Sequence, residues 1–539
     1  MSLRSPSIVL RVSSLAVCAV LGVPASVAAA RPVVVQEVKN DVSFPLRDMA
    51  AAAQTSNGAQ QEQAPVALPT GALLSSDQSD PVASQLASAL AGVRTGLNFD
   101  GQSASDTRNL LGVAFVPPDT NGAAGATQFV QIVNVTIAVY DKGTGARVLG
   151  PALISSVWRG FGGPCETGNG GDPVVVYDQL AGRWLVSQFQ FNSTFTSNQQ
   201  CVAISTSSDA TGSYNRYEFD FGDQFPDYPK FGVWPDAYYY SANIFVPFGG
   251  TFSFAGATAC AFERAAMLVG APARTICFQN PGAASLLPSD LDGSTLPPPD
   301  QPNFFMDIAD SSHLEVFQFH VDFATPASST FTGPVAISVA PFTEICARAV
   351  ALACIPEPPP GERVDSLGDR LMFRLAYRNF GDHESLVVNH TIKGGALAGV
   401  RWYEIRSPGS SPFVFQQGTV VDPEVNFWMG SIAMDKAGNI ALGFSASGQQ
   451  LNPSVFVVGR APADPLGAMA GPLVLVTGGG VQLRSFNRWG DYSSMAVDPS
   501  DDCTFWYTQE YYKTTGSFAW TTRISSFKFD SCKAKPRGR

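Results

Sequence analysis

From about residue 109 onward, short apolar runs alternate with turn-forming residues. QFVQIVNVTIAVYD, DPVVVYD, RWLVSQFQF, CVAIST, NRYEFDF, VRWYEIR, NIALGFS and RISSFKF are rich in β-branched and aromatic residues, with Gly, Pro, Asp and Asn between them. Most runs are roughly five to eight residues long with turn signals every 8–12 or so, which predicts an all-β chain. ERAAML (263–268) is the one helical candidate and is too short to stand as an element. The runs recur in groups. GGDPVVVYDQLAGRWLVSQF (170–189), FPDYPKFGVWPDAYYYSANIF (225–245), SLGDRLMFRLAYRNFGDHESLVVNHTI (366–392), NFWMGSIAMDKAGNIALGFSAS (426–447) and RWGDYSSMAVDPSDDCTFWYTQEY (488–511) share one plan. Each has an opening residue, an apolar strand, a tight turn that usually carries Asp, and a second strand.

The clear opening residues are Asp119, Asp172, Asp227, Asp369 and Asp491. The intervals from Asp227 to Asp369 and from Asp369 to Asp491 are each more than twice the first two, so each hides a further unit. Asp290, Asp292 or Asp307 is the candidate marker of the first, and Trp428 stands near the opening of the second. Seven units of about 60 residues, with four strands each, predict a seven-bladed β-propeller. The last unit shows three strands, 492–498, 504–511 and 521–529, and the segment between about 95 and 116 can supply its fourth. Residues 31–108, rich in Ala, Gln, Ser and Pro, predict a low-complexity, disordered N-terminal arm or linker, with Val33–Val38 able to pair at a sheet edge. The propeller is placed at 109–532 and a basic tail at 533–539.

Residues 1–30 are expected to be a secretory signal peptide. Arg4 and Arg11 precede the apolar Val12–Val23 stretch, and Ala28-Ala29-Ala30 offers a small-residue cleavage site. Cys18 lacks the small residue that a lipoprotein signal places before its cysteine. The chain has 34 basic and 45 acidic residues; without the two arginines of the signal, 32 face 45. Such an acidic balance argues against nucleic acid and anionic membranes as partners, and no apolar run beyond the N-terminus is long enough to span a bilayer. A secreted location, extracellular or periplasmic, and a monomer are expected. Eight cysteines remain after Cys18, an even number that suits disulfides in an exported chain. Adjacency along the chain favours Cys165–Cys201, Cys260–Cys277, Cys346–Cys354 and Cys503–Cys532. Without a C-x-x-C and with four histidines, a zinc reading is poor, and any metal stays unassigned.

In a propeller, the innermost strands begin around a central channel on one face, so residues far apart in sequence become neighbours there. Three readings of the opening aspartates stand side by side. Each can cap the turn amides of its own strand. Several can bind calcium through oxygen, although no D-x-D-x-D loop is present and no cofactor is required. Alternatively, two of Asp172, Asp227, Asp369 and Asp491 can serve as the catalytic carboxylates of a glycoside hydrolase or polysaccharide lyase, since crowding raises one pKa. Asp119, Asn121, Lys230, Arg370, Trp428, Trp489 and Tyr492 are the candidate ligand-binding residues, the two tryptophans by stacking on sugar rings. The remaining tryptophans are expected to pack between blades. Asp178, Asp382, Asp435 and Asp498 sit in hairpin turns at the opposite face and are expected to be structural. His313, His320, His383 and His390 cannot be placed at the opening face, and no G-x-S-x-G exists, so a serine nucleophile is not expected.

PPDTNGAAG, GDPVVVYD…RW, FPDYPKFGVWPDAYY, GDRLMFRLAYRNFGDHESLVVNH, RWYEIR and RWGDYSSMAVDPSDDCTFWYTQEY resemble a group of secreted bacterial β-propeller proteins of unassigned function. The resemblance spans about 112–532 and implies a shared scaffold and export, with no activity attached. SSDATGSY (207–214) is similar to the Asp-box turn of sialidases, with one extra residue between Asp209 and Gly212. Arg370, Arg374 and Arg378 share one strand, unlike the three-arginine clamp of that family, so sialidase activity is not transferred. The sequence therefore points to binding of an extracellular glycan or protein ligand at the opening face, with the glycan-cleaving enzyme as the alternative.

Overall fold

The structure is a computed structural model of the 539-residue chain and describes residues 31–50, 80–86, 90–248, 251–347, 353–484 and 486–533. The expected signal segment and all but the first residue of the basic tail lie outside the described residues.

The described strands form an all-β propeller. Of the 33 described strands, 28 fall into seven antiparallel sets of four, which we number as blades one to seven in chain order, and Ala353–Pro356 pairs with Arg363–Asp365 as a separate two-stranded ribbon. The innermost strands are Asn121–Ala124, Gly171–Asp178, Phe225–Val233, Leu287–Asp292, Met372–Asn379, Asn426–Met434 and Ser494–Val497. Each touches the next, and the seventh touches the first, so the ring is closed. Between blades four and five the contact becomes a parallel ladder, Ser289–Asp292 with Leu375–Arg378. Both faces of an inner strand are covered by neighbouring blades. That explains why PVVVY reads as a continuous apolar run instead of an alternating one: Val174, Val175 and Val176 are all buried.

Closure comes from the clasp. Val93–Ser103 is the outer strand of blade seven and pairs antiparallel with Thr521–Phe529. A helix, Ala104–Leu111, follows directly; the Asp106 carboxylate accepts the Ser103 N–H at 2.7 Å and Gly112 ends the helix in the left-handed region. This helix was not anticipated, whereas ERAAML does form the short helix Arg264–Leu268.

The arm departs from expectation in its described parts, which are folded onto the blades. Val33–Gln36 adds a fifth strand to blade three and Lys39–Val42 a fifth to blade two. Ala83–Gln85 pairs with the outer strand of blade five. The physical reason lies in the outer strands themselves, which present a row of unpaired backbone groups that another segment can satisfy. Blades one, four and six manage the same edge differently. Their outer strands carry Gly150-Pro151, Gly333-Pro334 and Gly471-Pro472, each glycine at positive φ. A kinked strand without one N–H is a poor template for further pairing.

All four disulfides favoured by adjacency are present: Cys165–Cys201, Cys260–Cys277, Cys346–Cys354 and Cys503–Cys532. Trp158, Trp184, Trp234, Trp402 and Trp520 are buried in the core.

Candidate functional site

Every blade opens on a residue in the left-handed region: Asp119 (φ 51°), Asp172 (44°), Tyr228 (57°), Ser285 (51°), Leu367 (43°), Met429 (56°) and Asp491 (56°). For residues with a Cβ this conformation costs on the order of 1 kcal/mol each, so the surroundings must hold it. A side chain of the preceding blade takes the opening N–H in several places. Asn134 Oδ1 accepts from Asp172 at 3.0 Å, Asp172 Oδ2 from Tyr228 at 3.0 Å, Asn243 Oδ1 from Ser285 at 2.7 Å and Thr391 Oγ1 from Met429 at 3.2 Å. The true repeat positions therefore differ from the aspartate series. Asp227 and Trp428 lie one residue before theirs and Asp369 two after. Blade four opens at Ser285, ahead of Asp290, Asp292 and Asp307. The left-handed turn is enforced from outside, so its occupant need not be acidic.

The ring brings the expected residues together at the axis. Lys230 is fully buried, with its ammonium 3.4 Å from the Tyr228 ring centre and 3.9 Å from that of Tyr492, and it donates to Pro229 O at 3.0 Å. The Arg370 guanidinium also lies 4.8 Å from the Tyr228 ring centre and is held bidentately by Asp369 at 2.7 and 3.0 Å. Arg488 bridges Asp491 and Asp365. Burial, then the charge of Asp227, pushes the Asp172 carboxyl up to about 8 against the pull of Lys230. Asp227 is raised by burial and by Asp491. Lys230 is lowered by burial to about 8, although Asp172 and Asp119 pull it upward. Burial also raises Tyr492, with Asp119 the largest of the contributing charges.

Three of the four candidate catalytic acids are engaged and almost completely buried: Asp172, Asp369 and Asp491. Asp227 is the partly exposed one. Asn121 is buried and spends its Oδ1 on the Val175 N–H at 3.1 Å. Trp428 and Trp489 depart from the expected sugar-stacking role. Both are fully buried, with ring centres 5.5 Å apart, and Trp489 Nε1 donates to Ser445 Oγ at 3.0 Å. Ile355 and Val364 share their apolar cluster, and the Trp489 N–H donates to Asp365 Oδ1 at 2.8 Å, so the segment 353–365 packs against them without a strand period by which its position could be read.

Among the described residues no group of three or more His, Cys, Asp or Glu side chains is arranged to hold a metal. The cations among these carboxylates are the chain's own Lys230, Arg370 and Arg488.

At the opposite face, Asp178 takes Arg264 bidentately and the Tyr238 hydroxyl, Asp435 takes Asn439, and Asp498 takes Lys142 and Trp506. These are the structural roles expected; Asp382 is exposed beside His383. His390 is buried against Phe342 and Tyr403, and desolvation lowers it well below its usual range. A cavity of about 40 Å³ lies in the channel, lined by Gly122, Val176, Asp290, Asp292, Arg374 and Val497. Arg374 is spent on Asp290 and Asp292, and Arg378 on Asp502. Asp209 of SSDATGSY holds its own turn by accepting Thr211 N–H at 2.9 Å.

Sequence reasoning missed Asp365, Glu357, Arg488 and Glu510, all buried close to the channel mouth. Their only signal is charge inside apolar surroundings, in a chain with 15% charged residues.

No family model matches the sequence, and no characterised protein does either. Solved structures with some likeness include a protein of unknown function from Dyadobacter fermentans, at 10% identity over 82% of this chain and 100% of that one, with a TM-score of 0.24. The Trypanosoma rangeli sialidase in complex with sialic acid has 10% identity over 66% of this chain and 53% of its own, with a TM-score of 0.34. The Penicillium chrysogenum α-L-arabinanase complexed with arabinobiose has 7% identity over 82% and 100%, with a TM-score of 0.32.

Proposed function

We propose that this chain is an exported propeller that binds an extracellular glycan at its channel mouth without chemical turnover. Asp227 carries the reading. It is the partly exposed residue among the four candidate acids, and among the described residues it takes part in no ion pair, so it is the acid that a sugar hydroxyl would meet first. Asp369–Arg370 and Arg488–Asp491 flank it as fixed polar walls. Export is supported by the four disulfides. The test is a panel of neutral and anionic polysaccharides, with binding followed by calorimetry and products by chromatography. Saturable binding without products, lost in Asp227→Asn and kept in Asp382→Asn, is the expected result. Absence of binding across the panel overturns the glycan assignment.

A second reading rests on the adjacency of Asp172 and Asp227. A carboxyl held neutral up to about 8 beside a partly exposed carboxylate is the pairing that acid–base cleavage of a glycosidic bond uses. Here Asp172 donates the proton and Asp227 acts as nucleophile or base. Products that vanish in Asp172→Asn, with binding retained, select this reading over the first.

A further inference from the structure

The hairpin 192–197 joins the second and third strands of blade two, Arg183–Phe191 and Asn198–Ser205. It stands on the mouth face, because Phe189 pairs with Gly171 at the very start of the inner strand. Within this hairpin Phe195 holds a φ of 53°. A left-handed backbone is an outlier for a bulky aromatic residue and costs on the order of 1 kcal/mol, where Gly would sit without strain. Local hydrogen bonds lock the turn. The Phe195 N–H donates to Asn192 O at 2.9 Å, the Thr196 N–H to Asn192 Oδ1 at 2.9 Å, and Asn198 Nδ2 to Phe195 O at 2.9 Å. Strain kept in a loop of polar residues points to what its one large side chain does.

The Phe195 ring is the centre of an aromatic group. It stacks on Phe191 at 4.6 Å with the planes 10° apart, and meets Phe225 and Phe252 edge-on at 5.2 and 4.6 Å. Phe225 also meets Phe191 at 5.3 Å and the buried Phe189 at 5.1 Å, which ties the group to the body of the blades. Phe191, Phe195, Phe225 and Phe252 are each partly exposed. Phe225 and Asp227 stand two apart on the strand Phe225–Val233 and so share one of its faces. The chain around these rings, 189–197, 220–227 and 252–254, carries Asp220, Asp223 and Asp227 and no basic residue. Asp220 and Asp223 are exposed, as are Thr194 and Thr196, whose hydroxyls lie 2.9 Å apart on the hairpin.

We propose that Phe191, Phe195 and Phe225 form a stacking platform for a neutral pyranose polysaccharide, an outer subsite that continues from Asp227 across the boundary between blades two and three. The platform rests on the glycan reading above and names the class of glycan. A pyranose with equatorial substituents gathers its axial C–H groups on one apolar face, which the negative face of an aromatic ring attracts. The hydroxyls around its rim then meet Thr194, Thr196 and Asp227. Charge decides between glycans. Uronate or sulfated chains would bring like charge to Asp220, Asp223 and Asp227, whereas a neutral chain meets no such repulsion. A ring already fixed by the Asn192 turn has little freedom left to lose on binding.

The test is affinity electrophoresis and calorimetry of the full chain, with hydroxyethylcellulose, galactomannan and xylan as neutral probes and polygalacturonate and alginate as anionic ones. A neutral probe is expected to bind more tightly than either anionic one. Phe195→Gly removes the ring and suits the left-handed backbone, so affinity should fall about ten-fold while the thermal melt changes little. Phe195→Trp keeps an aromatic face, so it should bind within about two-fold of wild type, and the emission of its added indole should shift to the blue at saturation. Unchanged affinity in Phe195→Gly, or tighter binding of an anionic probe, overturns the platform. The glycan reading survives that result when Asp227→Asn still abolishes binding. If Phe195→Gly does not fold, Phe195→Trp decides, and saturation without a spectral shift overturns the platform. No binding of any probe overturns both.

Discussion

Tyr228 gives its backbone N–H to Asp172 Oδ2 at 3.0 Å across the boundary between blades two and three. The acceptor is a carboxyl at the channel axis, and the donor belongs to a residue held at a φ of 57°. One side chain thus links the proposed chemistry to the backbone strain of the next blade. Asp172→Asn keeps an acceptor and removes the ionisable proton, so unfolding free energy should change little. Asp172→Ala strands the Tyr228 N–H in the core and should cost about 1–3 kcal/mol. Urea denaturation of the two variants separates these outcomes; equal losses would show that the bond to Tyr228 is dispensable.

The axial carboxyls make stability depend on pH in a definite direction. Asp172, Glu357 and Asp365 titrate near 8 when folded and near ordinary carboxylate values when unfolded. The folded chain then binds more protons between about pH 4 and pH 8, and stability falls across that window. Lys230 acts oppositely above it. Its folded value of about 8 lies below the unfolded one, so it returns some stability as pH rises from about 8 to about 10. Chemical denaturation at pH 5, 7 and 9 should show a decline that flattens at the last step. A maximum at pH 9 would contradict the assignment.

Cys503–Cys532 staples the end of the chain to the hairpin of blade seven. Replacing both by serine should remove about 3–4 kcal/mol in the chain-entropy model. The loss should be accompanied by exchange of the Val93–Ser103 amides with solvent, since that strand pairs with the segment the disulfide retains. Hydrogen exchange by mass spectrometry reads both.

Asp41 on the outermost strand of blade two forms a two-bonded pair with Arg216, at 2.7 Å for each bond. Arg216 is nearly buried and also serves Val157 O and Arg159 O. Asp41→Ala should destabilise by about 1–3 kcal/mol, more than an exposed pair would, because it leaves a buried guanidinium short of its counter-charge. Thermal melts of this variant beside Arg47→Ala, whose pair with Asp209 is exposed, make the comparison internal.

Much of this architecture is legible from residue patterning. Runs such as PVVVY and their spacing suffice for a ring of sheets, and proximity along the chain suffices for Cys165–Cys201 and its three counterparts. Val33–Gln36 does pair at a sheet edge, as its apolar run suggests. What escapes patterning has physical reasons. Lys39–Val42 is held by main-chain pairing to an edge, which four residues of any β-tolerant composition can satisfy. Ser285, Leu367 and Met429 open their blades because neighbours impose the backbone, which leaves no compositional trace. Trp428 was legible as a mouth residue but not as a covered one, since the covering segments come from elsewhere in the chain.

The clasp carries a consequence for biogenesis. Val93–Ser103 is made early in synthesis, yet its partner strand ends at Phe529. For most of synthesis this strand must wait unpaired while blades accumulate beside it. Circular closure is thus a terminal event, and the surroundings of the growing chain must tolerate a long-lived, incomplete ring until the last strand arrives.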